Sequence, residues 1–322
     1  MENSTEKPTA AQKRAGAAES ELIAKATRIP WLVKARPYLI MAPCLLITIG
    51  ILYPFVSAIF YSLTNYSFRN PTWKFIGIEN WVYMFTDVEF WHAVFVTLQY
   101  AAITTGAEML LGIGIALLLS KNNAFTKILK VVLIFPLMIA PVIATLIWQL
   151  MTNTSVGIFE KFLNIFGVYG FTWAASAKTA LFTAALIDIW VYAPFVIVLV
   201  SAGIQSLPKS PFEAARVDGG SAWFTFKTLT LPMLKPFIYI ALIFRLMASL
   251  QEFTIIFALT KGGPGNTLMN LSITGYNYGF AFLKFGQSLS YVLILWVIIN
   301  FISRKLVGKY LLTQRQAAGK EK

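Results

Sequence analysis

Four ionisable residues lie inside runs that are otherwise apolar: Glu108, Asp188, Arg245 and Glu252. Burying a charge at the centre of a membrane helix costs about 2.5–3.5 kcal/mol on insertion scales, so such residues imply a use. Two uses fit them. They line a polar route, or they neutralise one another inside a helical bundle, Arg245 with Asp188 or Glu108. Arg245 and Glu252 stand seven residues apart, two turns, which puts them on one face of a continuous helix. Trp190, Tyr192, Gln251, Asn277 and Tyr278 are weaker candidates for the same route, since aromatic faces and hydrogen-bonding side chains hold sugars where they face a cavity. Other chemistries lack their residues. One cysteine, Cys44, and one histidine, His92, make neither a disulfide nor a structural zinc site. There is no G-x-x-x-x-G-K-[ST] phosphate cradle, no H-E-x-x-H and no Ser/His pairing on adjacent runs, so the chain is read as a non-enzyme that binds no cofactor of its own.

The elements that must position these residues follow from composition. The 322 residues are 57% hydrophobic and 13% charged, with a mean hydropathy of +0.66. Runs near the ~20 residues a helix needs to cross a bilayer occur at 38–62, 94–120, 128–151, 179–206, 236–260 and 287–306. The expectation is an all-α integral membrane protein with six transmembrane helices over 37–308, a cytoplasmic tail at 1–36 and a basic cytoplasmic tail at 309–322. The first run is longer than the apolar core of a cleaved signal, and Cys44 inside it reads as a small buried hydrophobe. The net charge of +13 does not point to nucleic acid, because the charges fall between the apolar runs. Instead it reports topology. Twenty Lys and Arg lie on the side shared by the termini and the loop 207–235, against six on the other side, which puts the former in the cytoplasm. The outer loops 63–93, 152–178 and 261–286 either present polar surface to a partner or solute, or only connect helices at the interface.

The cytoplasmic loop holds the most punctuated segment of the chain. Ser210 and Glu213 fit a capping box, Pro211 fits the first helical position, and Gly219 falls where a helix would stop. The spacing predicts a two-turn helix at 211–217. A second short helix opens near Ser221, and Pro232 and Pro236 close the unit before the next apolar run.

Glu213-Ala214-Ala215, Asp218-Gly219 and Leu231-Pro232 resemble the EAA motif of permease subunits in binding-protein-dependent ABC importers. The flanking Leu207-Pro208, Lys235-Pro236 and Leu259-Thr260-Lys261-Gly262-Gly263-Pro264 are similar to the carbohydrate-uptake branch, the maltose and glycerol-phosphate type. The resemblance, over roughly 38–306, implies the type I ABC importer transmembrane fold in a bacterial cytoplasmic (inner) membrane. Ser210, Pro211, Glu213, Ala214, Ala215, Arg216, Asp218 and Gly219 would then couple the chain to a separate ABC ATPase dimer. That dimer would bind the ATP and magnesium. A second EAA-motif permease and an extracytoplasmic solute-binding protein would complete the assembly, and a carbohydrate, acidic oligosaccharides included, would pass through it. The rival expectations are a secondary transporter or channel without ATP coupling, and a membrane enzyme.

Overall fold

A backbone surrounded by hydrocarbon must satisfy its own hydrogen bonds, and apolar runs of this length do so as helices. The computed structural model of the chain describes residues 30–69, 72–120 and 123–317, and its long segments are helical. Most of the expected N-terminal tail and residues 318–322 lie outside the described residues. The chain divides into two units, Met1–Ala58 and Ile59–Lys322.

Most of helix α1 (Pro30–Ser62) makes up the described part of the first unit; it contains Pro37, Pro43 and Pro54, and its Pro37–Ser62 part is apolar on all sides, the pattern of a helix in lipid. Cys44 is exposed on its surface rather than buried. Among the described residues of this unit no second element covers it.

The second unit continues with α2 (Glu79–Thr86), α3 (Val88–Leu118), α4 (Ala124–Ile134), α5 (Pro141–Met151), α6 (Ile158–Ile165) and α7 (Ala180–Ser206). After these come α8 (Ser210–Val217), α9 (Ala222–Thr225), α10 (Leu231–Leu250), α11 (Thr254–Thr260), α12 (Leu271–Tyr276) and α13 (Phe285–Ala317). Local chemistry sets several starts. Asp87 caps α3 by accepting from Glu89 N, Asn123 and Thr126 form a reciprocal capping box on α4, and Asn270 accepts from Ile273 N at the head of α12.

Among the described residues five helical segments are long and apolar enough to cross a membrane, and a sixth only if a bent pair is counted as one. That pair corrects the expected run 128–151. Ala124–Met138 and Pro141–Met151 meet at 98°. Pro141 disfavours helical backbone in the residue before it, and Ala140 accordingly takes φ −59° and ψ 131°. Two other runs differ from expectation. Pro232 and Pro236 do not close the segment after α7, because the helix continues from Ala222 through a π-helical turn, Phe226–Thr230, into α10. In that turn Leu231 N–H is paired with Phe226 O, and the Thr230 hydroxyl donates to Thr225 O, so Pro232 is accommodated without a break. The last helix runs on to Ala317, making 309–317 helical.

Helices α3, α7 and α10 form the centre of this unit. Glycines allow their close approach: a Cβ on Gly112 would lie 2.5 Å from the Val196 Cβ, and one on Gly203 would lie 2.6 Å from the Phe237 ring. Met109, Ala116, Val196, Val200, Leu234 and Ala241 fill one end of the contact. Tyr100, Ile187, Val191, Ile255 and Ile256 fill the other, with Trp148 and Ala144 of α5 packed alongside.

Candidate functional site

Two features could carry function: the punctuated segment after α7 and the buried ionisable residues. Leu207 leaves α7 in extended conformation (φ −67°, ψ 135°), and α8 then forms, but not with the expected capping box. Ser210 is the first helical residue and no side chain caps the helix; Phe212 N and Glu213 N both donate to Lys209 O at 3.0 Å. The helical backbone of Lys209 (φ −75°, ψ −31°) moves the helix start one residue upstream, out of register with the Ser210 hydroxyl. The stop is as expected. Gly219 takes φ +73°, while Asp218 N donates to Ala214 O at 2.9 Å and Gly220 N to Ala215 O at 2.8 Å. Ser221 then caps α9 through Phe224 N at 3.2 Å. The result is a two-helix foot. Its outward side presents Val217 and Trp223, 88% and 70% exposed, together with Ala214 and Asp218. Glu213 and Arg216 border a cavity of about 500 Å³ that reaches Leu117 of α3, Ile204 of α7 and Phe226.

The ionisable residues come together between α3, α7 and α10. Arg245 donates through Nε to Glu108 Oε2 at 2.6 Å and through Nη2 to Glu108 Oε1 at 2.7 Å, a two-pronged pair. The same Nη2 reaches Asp188 Oδ1 at 2.8 Å. Tyr100 donates to Asp188 Oδ2 at 2.7 Å, and the guanidinium carbon sits 4.0 Å from the centre of the Tyr192 ring. Glu108 and Asp188 are fully buried and Arg245 nearly so. Of the two expected uses, mutual neutralisation is the one the geometry builds. Every charged group here has a partner on another helix, so the cluster clamps three helices together.

The other candidates make no ion pair with the cluster among the described residues, although Glu252 lies near enough to interact with the charges of Asp188 and Arg245. Glu252 does not share a face with Arg245, because α10 ends at Leu250 and the chain turns. The Glu252 carboxylate instead accepts from Ile255 N at 2.7 Å in the first turn of α11, and its carbonyl accepts from Asn270. Trp190 packs edge-on against Trp148, Gln251 is exposed and donates to Met247 O, and Asn277 approaches Met269 Sδ at 3.5 Å. Tyr278 stacks on Tyr291 at 4.8 Å, and both phenols donate to Asp87. Burial pushes the Tyr278 phenol up, which keeps it a donor. His92 is also partnered, by Asn266 O at 2.9 Å. Sequence reasoning missed Tyr100, Thr105 and Ser249, which complete the cluster. Their signal was spacing: Tyr100, Thr104 and Glu108 recur every four residues, as do Arg245 and Ser249.

Comparison with known proteins agrees with this architecture. The family described as "Binding-protein-dependent transport system inner membrane component" matches residues 108–307, which contain both the foot and the three charges. The trehalose/maltose transport system permease protein MalF of Thermococcus litoralis is 34% identical over 242 residues, 75% of this chain and 82% of its own length. The sn-glycerol-3-phosphate transport system permease protein UgpA of Pectobacterium atrosepticum is 29% identical over 87% of this chain and 96% of its own. In fold, the chain matches a bacterial alginate ABC transporter solved with an alginate pentasaccharide-bound periplasmic protein. The TM-score is 0.73 at 21% identity, covering 86% of this chain and 95% of that one. The six-run helical pattern is thus the type I ABC importer transmembrane fold. The chain belongs to the family of binding-protein-dependent transport system inner membrane components, and is a multi-pass permease subunit rather than an enzyme.

Proposed function

We propose that the chain forms half of the translocation pathway of an ATP-driven importer for a sugar, an oligosaccharide (acidic chains included) or a sugar derivative. A second EAA-motif permease supplies the other half in the cytoplasmic membrane of a bacterium. A separate ABC ATPase dimer binds ATP and magnesium, and an extracytoplasmic solute-binding protein delivers the solute. The carbohydrate class is supported by the relatives, whose names specify trehalose/maltose and sn-glycerol-3-phosphate, solutes rich in hydroxyls.

The observation that carries the coupling is the foot itself. Ala214, Val217, Trp223 and Phe224 are exposed on a short, sharply stopped pair of helices that continues without interruption into α10. Exposed apolar side chains on so rigid an element fit a protein socket. Displacing the foot moves α10 and, through Arg245, the helices α3 and α7. The complex reconstituted in proteoliposomes tests this. Gly219→Pro, which forbids the φ of +73°, leaves ATP hydrolysis running but abolishes ATP-driven sugar uptake. Glu213→Ala removes no helix-capping bond, so it lowers uptake per ATP without lowering the melting temperature. Normal uptake by the Gly219→Pro complex would refute the reading.

A further inference from the structure

At the end of the second unit opposite the foot, the chain after α1, helix α2 and the start of α13 enclose a cavity of about 320 Å³. We propose that this cup is a solute site separate from the central helices and that it takes a single neutral pyranose ring. The cup is built from the fold outward. Asn80 is buried and donates to Ser62 O and Thr64 O, both at 2.8 Å, which fixes the floor. Gly286 N donates to Tyr66 O at 3.0 Å and Ser67 Oγ to Leu283 O at 2.6 Å, so the 64–67 segment is pinned to the start of α13. A side chain at Gly286 would collide with Thr64 O, so this wall needs a glycine.

The groups left over at the cup are the ones a sugar ring uses. Gln287 borders the cup, and its Oε1 has no hydrogen-bond partner but is shielded from solvent, so a ligand reaches it only after the side chain turns. Neither Glu79 nor Lys284 joins an ion pair among the described residues. Lys284 Nζ lies over the Tyr83 ring, 5.9 Å from its centre, so a sugar that stacks on Tyr83 must displace the ammonium towards its own hydroxyls. Carboxylate, ammonium and amide together offer acceptors and donors to a ring of hydroxyls, while the opposite charges of Glu79 and Lys284 cancel and favour a neutral ligand over an anion. Ligand cavities span about 300–1,000 Å³, and this volume falls at the lower limit, enough for one ring and too small for a chain of them. The choice of a sugar rests on the carbohydrate reading of the transporter; the cavity and its free polar groups do not.

The test is saturation-transfer NMR on the assembled transporter in nanodiscs, without binding protein, with methyl β-D-glucopyranoside as the probe. The wild type transfers saturation to the ring protons. Glu79→Gln combined with Gln287→Leu weakens that binding by about tenfold, the loss expected when a hydrogen bond to a charged group is removed. Tyr83→Ala, at an exposed position, lowers it independently and guards against misfolding of the double variant. No transfer in the wild type, or equal transfer in wild type and variants, overturns the proposal. ATP-driven uptake separates it from the broader reading. If no carbohydrate is imported while ring binding still depends on these residues, the transport reading falls and the cup stands. If sugars are imported and the variants bind the probe as the wild type does, the cup falls alone.

Discussion

Arg245 is the residue on which the buried chemistry turns. It holds Glu108 by two hydrogen bonds and Asp188 by a third, with Tyr192 beneath the guanidinium. Breaking a buried pair by removing one partner costs about 3–5 kcal/mol, because the other charge is left uncompensated. Arg245→Met therefore strands two carboxylates among three helices, and the purified complex should melt at a clearly lower temperature. Arg245→Lys keeps the charge but loses the fork, so it should fall between Met and wild type. Pairing Arg245→Met with Glu108→Gln and Asp188→Asn should restore much of the loss. A melting temperature for Arg245→Met equal to that of the wild type would show that the clamp contributes nothing. The ionisable residues could be read from the sequence as expensive, but not which of them meet. Glu252 lies as close to Arg245 along the chain as two helical turns, yet the helix ends between them.

At the scale of elements, the contact between α3 and α7 depends on a glycine. The methyl group of Gly112→Ala would lie 2.5 Å from the Val196 Cβ, an atom fixed to the backbone that cannot swing away. Overpacking of this kind costs about 1–3 kcal/mol. Gly114→Ala, two residues on, meets nothing within 4 Å and should be silent. Gly112→Ala should lower the melting temperature of the complex, and Val196→Gly, which removes the clashing Cβ, should reduce that loss; equal melting of Gly112→Ala and Gly114→Ala would remove the close-packing account. The foot was legible as an element because Gly219, Ser221 and the apolar runs around them act locally. Its start was not, because whether Ser210 caps the helix or enters it depends on the backbone of Lys209, a residue with no capping signature of its own. The bend of 98° between α4 and α5 belongs to the same class: Pro136 and Pro141 announce a kink, but its angle depends on the extended backbone Ala140 adopts between them.

At the scale of the whole molecule, the excess of Lys and Arg on one side predicts which parts face the cytoplasm. In a Cys44→Ser background, a cysteine at Val217 should react with a membrane-impermeant thiol reagent only in inside-out vesicles, and one at Lys74 only in intact cells with a permeable outer barrier. Both positions are exposed, so lack of access within the chain does not confuse the result. Labelling from the opposite sides would invert the topology and with it the position of the foot. Cysteines at Asp188 and Arg245 should stay unlabelled from both sides in the conformation described, since both side chains are buried.

Helical character, the number of apolar runs and the stop of the foot were legible in the sequence alone, because each rests on a quantity read along one dimension: the length of a run or the spacing of a glycine from a serine. Tertiary structure alone decided that Glu108, Asp188 and Arg245 form one clamp while the Glu252 carboxylate caps another helix, that one apolar run is bent by 98°, and that Gln287 borders a cup. These depend on distances between segments separated by tens of residues in the chain, and such distances are set by how side chains of several helices fill the space between them.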